Sequence, residues 1–376
     1  MILKTDCRHF PGDRPCRFNK EAGTMCNDCQ EYLPAGFKIL IIKLDAPGDV
    51  LRTTSLLPSL NHEFPNCHIT WVTKNSSKEF FNNNHLVSNL LIFENPDTLP
   101  RLMVEDFDLL IHPDASPVSA PLATIVMAKE KKGFGLDSFG KIYSFNPEAN
   151  EWLEMGAFDQ HKKNNKKTYQ QIIHEIAGLE YRKSLIQLYL NLDEIKFKNK
   201  FFIENNLGRF KFLVGLNTGA SSRWQYKKWL LDGYIGLIKM LKQNPEIGIL
   251  LYGGPEEEER NRILLQQFPD LIDTGTKNST RDFIALLDMT DILVTGDTMA
   301  LHAATALKKK VVCLFGPTSY NEIEDYELVH KVIPKLDCLI CYKQKCNFNP
   351  SCMDMISPEM VLDAINKSIT EVAALK

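Results

Sequence analysis

Seven short apolar runs constrain this chain more than any other feature. Three lie in the first half: Lys38-Ile-Leu-Ile-Ile-Lys43, Ile69-Thr-Trp-Val-Thr73 and Phe107-Asp-Leu-Leu-Ile111. Four lie in the second: Phe212-Leu-Val-Gly-Leu216, Ile247-Gly-Ile-Leu-Leu-Tyr252, Asp291-Ile-Leu-Val294 and Val311-Val-Cys-Leu-Phe315. Runs this short and this apolar suit strands buried on both faces of a sheet. The stretches between them carry helical periodicity, as in the segment through Val50, Leu51, Leu56, Leu57 and Leu60. Alternating strand and helix gives a parallel sheet and an α/β architecture. The polar, basic stretch Lys196-Phe-Lys-Asn-Lys200 reads as a linker, after which the pattern restarts. The expectation is two Rossmann-like doubly wound domains, 37–200 and 201–350, preceded by a small Cys-rich segment, 1–36. Ligands of such sheets sit at the carboxyl ends of the strands, so the strand-to-helix loops of both halves should face one cleft.

At 376 residues the chain is long enough for two or three domains. Apolar residues make up 44% and charged residues 24%, the balance of a soluble globular protein. A net charge of −3 argues against nucleic acid as a partner. No apolar run approaches the roughly 18 residues that span a bilayer, and the opening Met1-Ile-Leu-Lys-Thr-Asp-Cys7 does not read as a secretory signal. A cytoplasmic location is expected.

Four loops that follow apolar runs carry residues suited to chemistry. Lys43-Leu-Asp-Ala-Pro-Gly-Asp49 brings Asp49 to the start of a helix, where Asp also serves as an ordinary cap. Asn217-Thr-Gly-Ala-Ser-Ser-Arg223 continues to Lys227-Lys228-Trp229. Backbone amides, Ser hydroxyls and a Lys point charge at a helix start make a phosphate cradle, although GxxxxGK[ST] spacing is absent. Gly253-Gly-Pro-Glu-Glu257 allows close approach of a ligand to backbone and supplies acids that could accept from ribose hydroxyls. Thr295-Gly-Asp-Thr-Met-Ala-Leu-His302 places a His on the first turns of a helix.

These motifs, with Leu314-Phe-Gly-Pro-Thr318, resemble glycosyltransferase family nine, the ADP-heptose:lipopolysaccharide heptosyltransferases and their relatives, over residues 38 to about 365. The resemblance implies a GT-B fold, with the acceptor bound mainly by the first domain and the nucleotide-sugar by the second. It also implies a final segment, 351–376, forming a helix that returns toward the first domain. It implies inverting transfer of a heptosyl or related unit from ADP-heptose, or another nucleotide-sugar, to a hydroxyl of a surface glycan such as the lipopolysaccharide core. It further implies that catalysis needs no cofactor. Asp49 matches the general base, and Lys227 a donor-phosphate contact. Glu257 matches an acid near the ribose, and Asp297, Thr298 and His302 match donor-site residues. Met299 stands where the family usually has glycine. Thr218, Ser221, Ser222, Arg223 and Gly253 complete the expected donor site. A protein acceptor, or a nucleotide-sugar epimerase or hydrolase activity on the same architecture, are the alternatives.

Ten cysteines remain, of which Cys313 reads as a buried strand thiol and Cys67 is isolated. The others form two groups of four: Cys7, Cys16, Cys26 and Cys29, then Cys338, Cys341, Cys346 and Cys352. In a reducing compartment such groups are metal ligands or redox groups more often than disulfides. A segment of about 36 residues with few apolar side chains needs a staple, so structural Zn or Fe is expected on the first group. The second group resembles a cysteine cluster near the C-terminus of many family members and is the second candidate. The lysines Lys129, Lys131, Lys132, Lys162, Lys163, Lys166 and Lys167 read first as a solvated cationic surface. Their sharper reading is attraction of an anionic acceptor or peripheral contact with the acidic inner membrane leaflet.

Overall fold

The computed structural model describes residues 3–220, 227–343 and 346–374. The first sheet contains β1 (Lys38–Ile42), β2 (His68–Thr73), β3 (Asn89–Ile92), β4 (Phe107–His112), β5 (Ala128–Leu136) and β6 (Ile142–Ser144). The second contains β7 (Phe212–Asn217), β8 (Ile247–Tyr252), β9 (Ile272–Asp273), β10 (Ile292–Gly296), β11 (Lys310–Leu314) and β12 (Val329–Val332). Their orders are β3-β2-β1-β4-β5-β6 and β12-β11-β10-β7-β8-β9. Numbered from its own first strand, each is the same doubly wound 3-2-1-4-5-6 order. All pairings are parallel except β5 with β6. Ile39, Leu40, Ile41 and Ile42 of β1 are fully buried, as are Leu293 and Val294 of β10, because helices cover both faces. Cys313 is likewise buried in β11.

The order reverses between β1 and β4 in one sheet and between β7 and β10 in the other. Strands at such switch points send their following loops apart and leave a crevice at their carboxyl ends. Among the described residues, no helix is long and apolar enough to cross a membrane.

Two expectations need revision. The stretch Lys196–Lys200 lies inside the helix Leu192–Glu204, which is started by a capping box in which Asn191 and Glu194 each accept the other's backbone N–H. That helix packs on the helix Thr280–Leu287 of the second domain. The last helix, Pro358–Ala373, stays with the second domain, packing on the helix Leu231–Leu241 and on β11 and β12. Its buried stripe of Val361, Ala364, Ile365 and Val372 joins that domain's core. The loop after β11 makes the return to the first domain instead. Glu322 O accepts from Tyr169 N (2.9 Å), Asn321 donates to Asn165 O (3.0 Å), and Tyr326 donates to Ser184 O (3.1 Å). Several of the lysines are paired at the surface. Lys129 pairs with Asp108, Lys132 with Glu130, and Lys131 donates to the carbonyls of Ala123 and Thr124, while Lys167 joins Glu151 and Glu175. These partners absorb much of the charge that the sequence presents as a patch.

Away from that loop, a buried ion pair ties the domains. Arg281 Nε and Nη2 donate to the two oxygens of Glu194 (2.7 and 2.5 Å), Nη1 to Glu79 O and Nη2 to Tyr189 O. Burial alone would raise the Glu194 carboxyl, but Arg281 and the Asn191 amide outweigh it and hold it below the usual range. A folded-state value below the unfolded one, about 4.3, gives stability that is present above pH 4.3 and lost as pH falls through the folded value. Arg281→Ala should lower unfolding free energy by about 3–5 kcal/mol at neutral pH, since it strands a buried carboxylate. Urea titrations from pH 7 to pH 3 check this, and Glu194→Gln should weaken the acid dependence.

Candidate active site

A cavity of 1130 Å³ lies between the sheets, lined by the loops that follow β1, β4, β7, β8 and β10. Asp49, Lys227, Gly253, Glu257, Asp297, Thr298, Met299 and His302 all line it. Asp49 and Lys227, far apart in sequence, therefore share one crevice. Ser221, Ser222 and Arg223 lie outside the described residues. Thr218 is buried and donates its hydroxyl to Asn261 Oδ1 (2.6 Å), so it supports the loop rather than facing the cavity.

Asp49 occupies the first turn of the helix Pro47–Thr53. Its Oδ1 accepts from Arg52 Nε (3.0 Å) and Nη2 (2.8 Å), one turn on. Arg52 is buried, with its guanidinium carbon 3.6 Å from the Tyr169 ring centroid. Burial would raise the Asp49 carboxyl, but Arg52 and Lys43 outweigh it, so the group is held low and is ionised at neutral pH. Lys43 is buried at the end of β1, where it binds Asp114 and donates to Asp45 O (2.5 Å).

Across the cleft, Lys227 Nζ meets Asp297 Oδ2 at 2.8 Å. Burial pushes Asp297 up, but Lys227 pulls it far below the carboxylate range. Thr298 precedes the helix Met299–Ala306 and faces Thr295 Oγ1 at 3.1 Å. Met299 is the first residue of that helix, in right-handed backbone that any side chain adopts, so no positive φ demands glycine there. The close approach falls instead at Gly48. A Cβ on Gly48 would stand 3.1 Å from the His302 ring and 3.4 Å from Met299 Cα. Glu257 is buried, with one oxygen accepting from Gly254 N (3.1 Å) and the other from Lys228 Nζ (3.0 Å). It fixes the glycine loop as well as lining the cavity.

Further residues complete the site without a local sequence signal. Glu322 Oε1 accepts from Tyr342 OH (2.9 Å), and Lys162 Nζ lies 4.4 Å from the Tyr342 ring centroid. Burial raises the Glu322 carboxyl. All three line the cavity on the side of Tyr169 and Trp152. Tyr342 comes from the second cysteine group. There burial pushes the Cys352 thiol up to about 11, reinforced by Cys341, Cys346 and Cys338, and its Sγ would stand 2.7 Å from a Cβ on Gly316. Among the described residues, no group of three or more His, Cys, Asp or Glu side chains is arranged to hold a metal ion.

Residues 99–351 match the profile of glycosyltransferase family 9 (heptosyltransferase). The chain belongs to that family. It is therefore a glycosyltransferase. It is 26% identical over 217 residues to lipooligosaccharide heptosyltransferase 2 of Campylobacter jejuni subsp. jejuni serotype O:6, covering 55% of this chain and 67% of that protein. Its fold is similar to that of a glycosyl transferase family 9 protein from Veillonella parvula DSM 2008, with TM-score 0.71 and 16% identity over 89% of this chain and 98% of the other. It is also similar to E. coli ADP-heptose lps heptosyltransferase II, with TM-score 0.64 and 18% identity over 90% and 100%. These likenesses give the GT-B fold that the strand orders describe.

Burial, with the charge of Arg52, pushes His302 down to about 4. The imidazole of the free enzyme is therefore neutral at pH 7. Its NMR resonances, assigned through His302→Gln, should not titrate between pH 8 and pH 5; an inflection above pH 6 would mean a charged ring.

Proposed function

We propose that this enzyme transfers a heptosyl unit from ADP-heptose to a hydroxyl of a lipopolysaccharide or lipooligosaccharide core glycan, with inversion at the anomeric carbon. The reading rests on one observation: an ionised carboxylate, Asp49, and an ammonium, Lys227, face the same interdomain cavity from opposite domains. The names of the relatives support the sugar and the acceptor class.

In a single displacement the acceptor hydroxyl attacks the anomeric carbon on the face opposite the diphosphate. As the C–O bond to the acceptor forms, the bond to the leaving phosphate oxygen breaks, and Asp49 takes the hydroxyl proton. Arg52 holds the carboxylate in its ionised, accepting state and fixes its direction. General-base assistance of this kind contributes about 10²–10⁴-fold. The negative charge that grows on the ADP leaving group meets Lys227 and the backbone N–H groups at the start of the helix Met299–Ala306. Neutral His302 can donate one hydrogen bond to that group. Glu257 and the Gly253-Gly254 backbone bound the space for the nucleoside. Trp152, Lys162, Glu322 and Tyr342 bound the acceptor side, where Trp152 suits a sugar ring and Lys162 suits an anionic substituent.

The test supplies ADP-heptose and a deacylated core oligosaccharide and follows the product by mass spectrometry. Asp49→Asn should lower kcat about 10²–10⁴-fold while calorimetry shows ADP binding kept; retained turnover would remove Asp49 from the base role. Lys227→Ala should weaken ADP binding about 10- to 150-fold, the range for a hydrogen bond to a charged group.

A further inference from the structure

Residues 3–36 hold a defined path without a core. None of them is fully buried, and their one helix, Arg17–Ala22, buries nothing. Backbone contacts close the segment on itself: Cys7 bridges Pro34, Arg8 N donates to Leu33 O (2.7 Å), and Ala35 N donates to Asp6 O (2.8 Å). This segment bounds a cavity of 480 Å³, and its four cysteines, Cys7, Cys16, Cys26 and Cys29, are among the residues that line it, with Phe18 and Tyr32. None of the four is in a disulfide. So short a stretch cannot offset the chain entropy of its own ordering without a staple, and here the thiols surround the place where a core would be.

The geometry separates two kinds of metal centre. A single tetrahedral ion with bonds of about 2.3 Å draws its sulfurs to roughly 3.8 Å from one another. The four cysteines line a space of 480 Å³, larger than a single ion fills. An iron–sulfur cluster is held by four cysteine thiolates and occupies a volume between them. We propose that Cys7, Cys16, Cys26 and Cys29 ligate an iron–sulfur cluster in this cavity, and that the cluster is the core of residues 3–36.

Its role is structural. Arg8 anchors the segment by donating to Cys67 O (3.2 Å) and Ser88 Oγ (3.1 Å), just ahead of β2 and β3. That is the end of the sheet opposite to the carboxyl ends that line the catalytic cavity. The cluster therefore takes no part in sugar transfer.

The full chain, purified anaerobically without chelator, should carry iron and acid-labile sulfide, about four of each per chain for a cubane cluster, with broad visible absorption. Cys16→Ser/Cys29→Ser should lose both, and its residues 3–36 should become readily cut by protease. ADP binding, measured by calorimetry on the same sample, should stay within twofold of wild type, showing that the two domains remain folded. Cys341→Ser/Cys346→Ser should keep the iron and sulfide. Zinc without sulfide, an absence of stoichiometric metal, or iron lost only from the Cys341→Ser/Cys346→Ser variant would each overturn the proposal.

Discussion

The bareness of Gly48 sets how near the two domains come. Where the helix Pro47–Thr53 meets the helix Met299–Ala306, a Cβ on Gly48 would be tight against the His302 ring, at 3.1 Å, and in contact with the Met299 backbone, at 3.4 Å. Asp49 follows Gly48 directly, so this contact decides how far the carboxylate stands from the opposite wall. It also buries His302 and sets Arg52 in range of Asp297. The charges of the cleft influence one another across the domain boundary because the backbones touch.

Among the described residues, three cations of the cleft already have a carboxylate: Lys43 has Asp114, Arg52 has Asp49 and Lys227 has Asp297. Buried charges are tolerable only when paired and hydrogen-bonded, and the pairing fixes their positions before a ligand arrives. In the proposed reaction the donor diphosphate meets an oriented ammonium at Lys227, which is then shared between Asp297 and the ligand. Little reorganisation is left for the bond-breaking step, which is the condition under which fixed charges stabilise a transition state best.

Much of this was legible in the sequence, for definite reasons. The central strands announce themselves because they are buried on both faces, and the loops after them are marked by Gly-Asp, Gly-Gly-Pro and Gly-Asp-Thr. The edge strands β3, β6, β9 and β12 were illegible because they are short and only partly buried, and β5 because its lysines disguise it. The linker helix Leu192–Glu204 was hidden by Lys196–Lys200, although Asn191-x-x-Glu194 ahead of it is a capping signature. Arg52 could have been found from its position three residues after Asp49. Glu322 and Tyr342 could not, since their place in the cleft depends on how the loop after β11 crosses to Tyr169 and how the second cysteine group folds beneath Gly316. That Met299 fits where the family usually has glycine could not be foreseen, because the backbone conformation at that position cannot be read from residue type.

The Arg281 junction has a kinetic consequence. Swinging the halves wide apart would strip its guanidinium of Glu194, Tyr189 and Glu79 together, while the crossing loop would lose Asn165, Tyr169 and Ser184. Such a rupture must expose several buried polar groups at once, so wide separation of the halves is slow compared with small movements at the rim of the cavity.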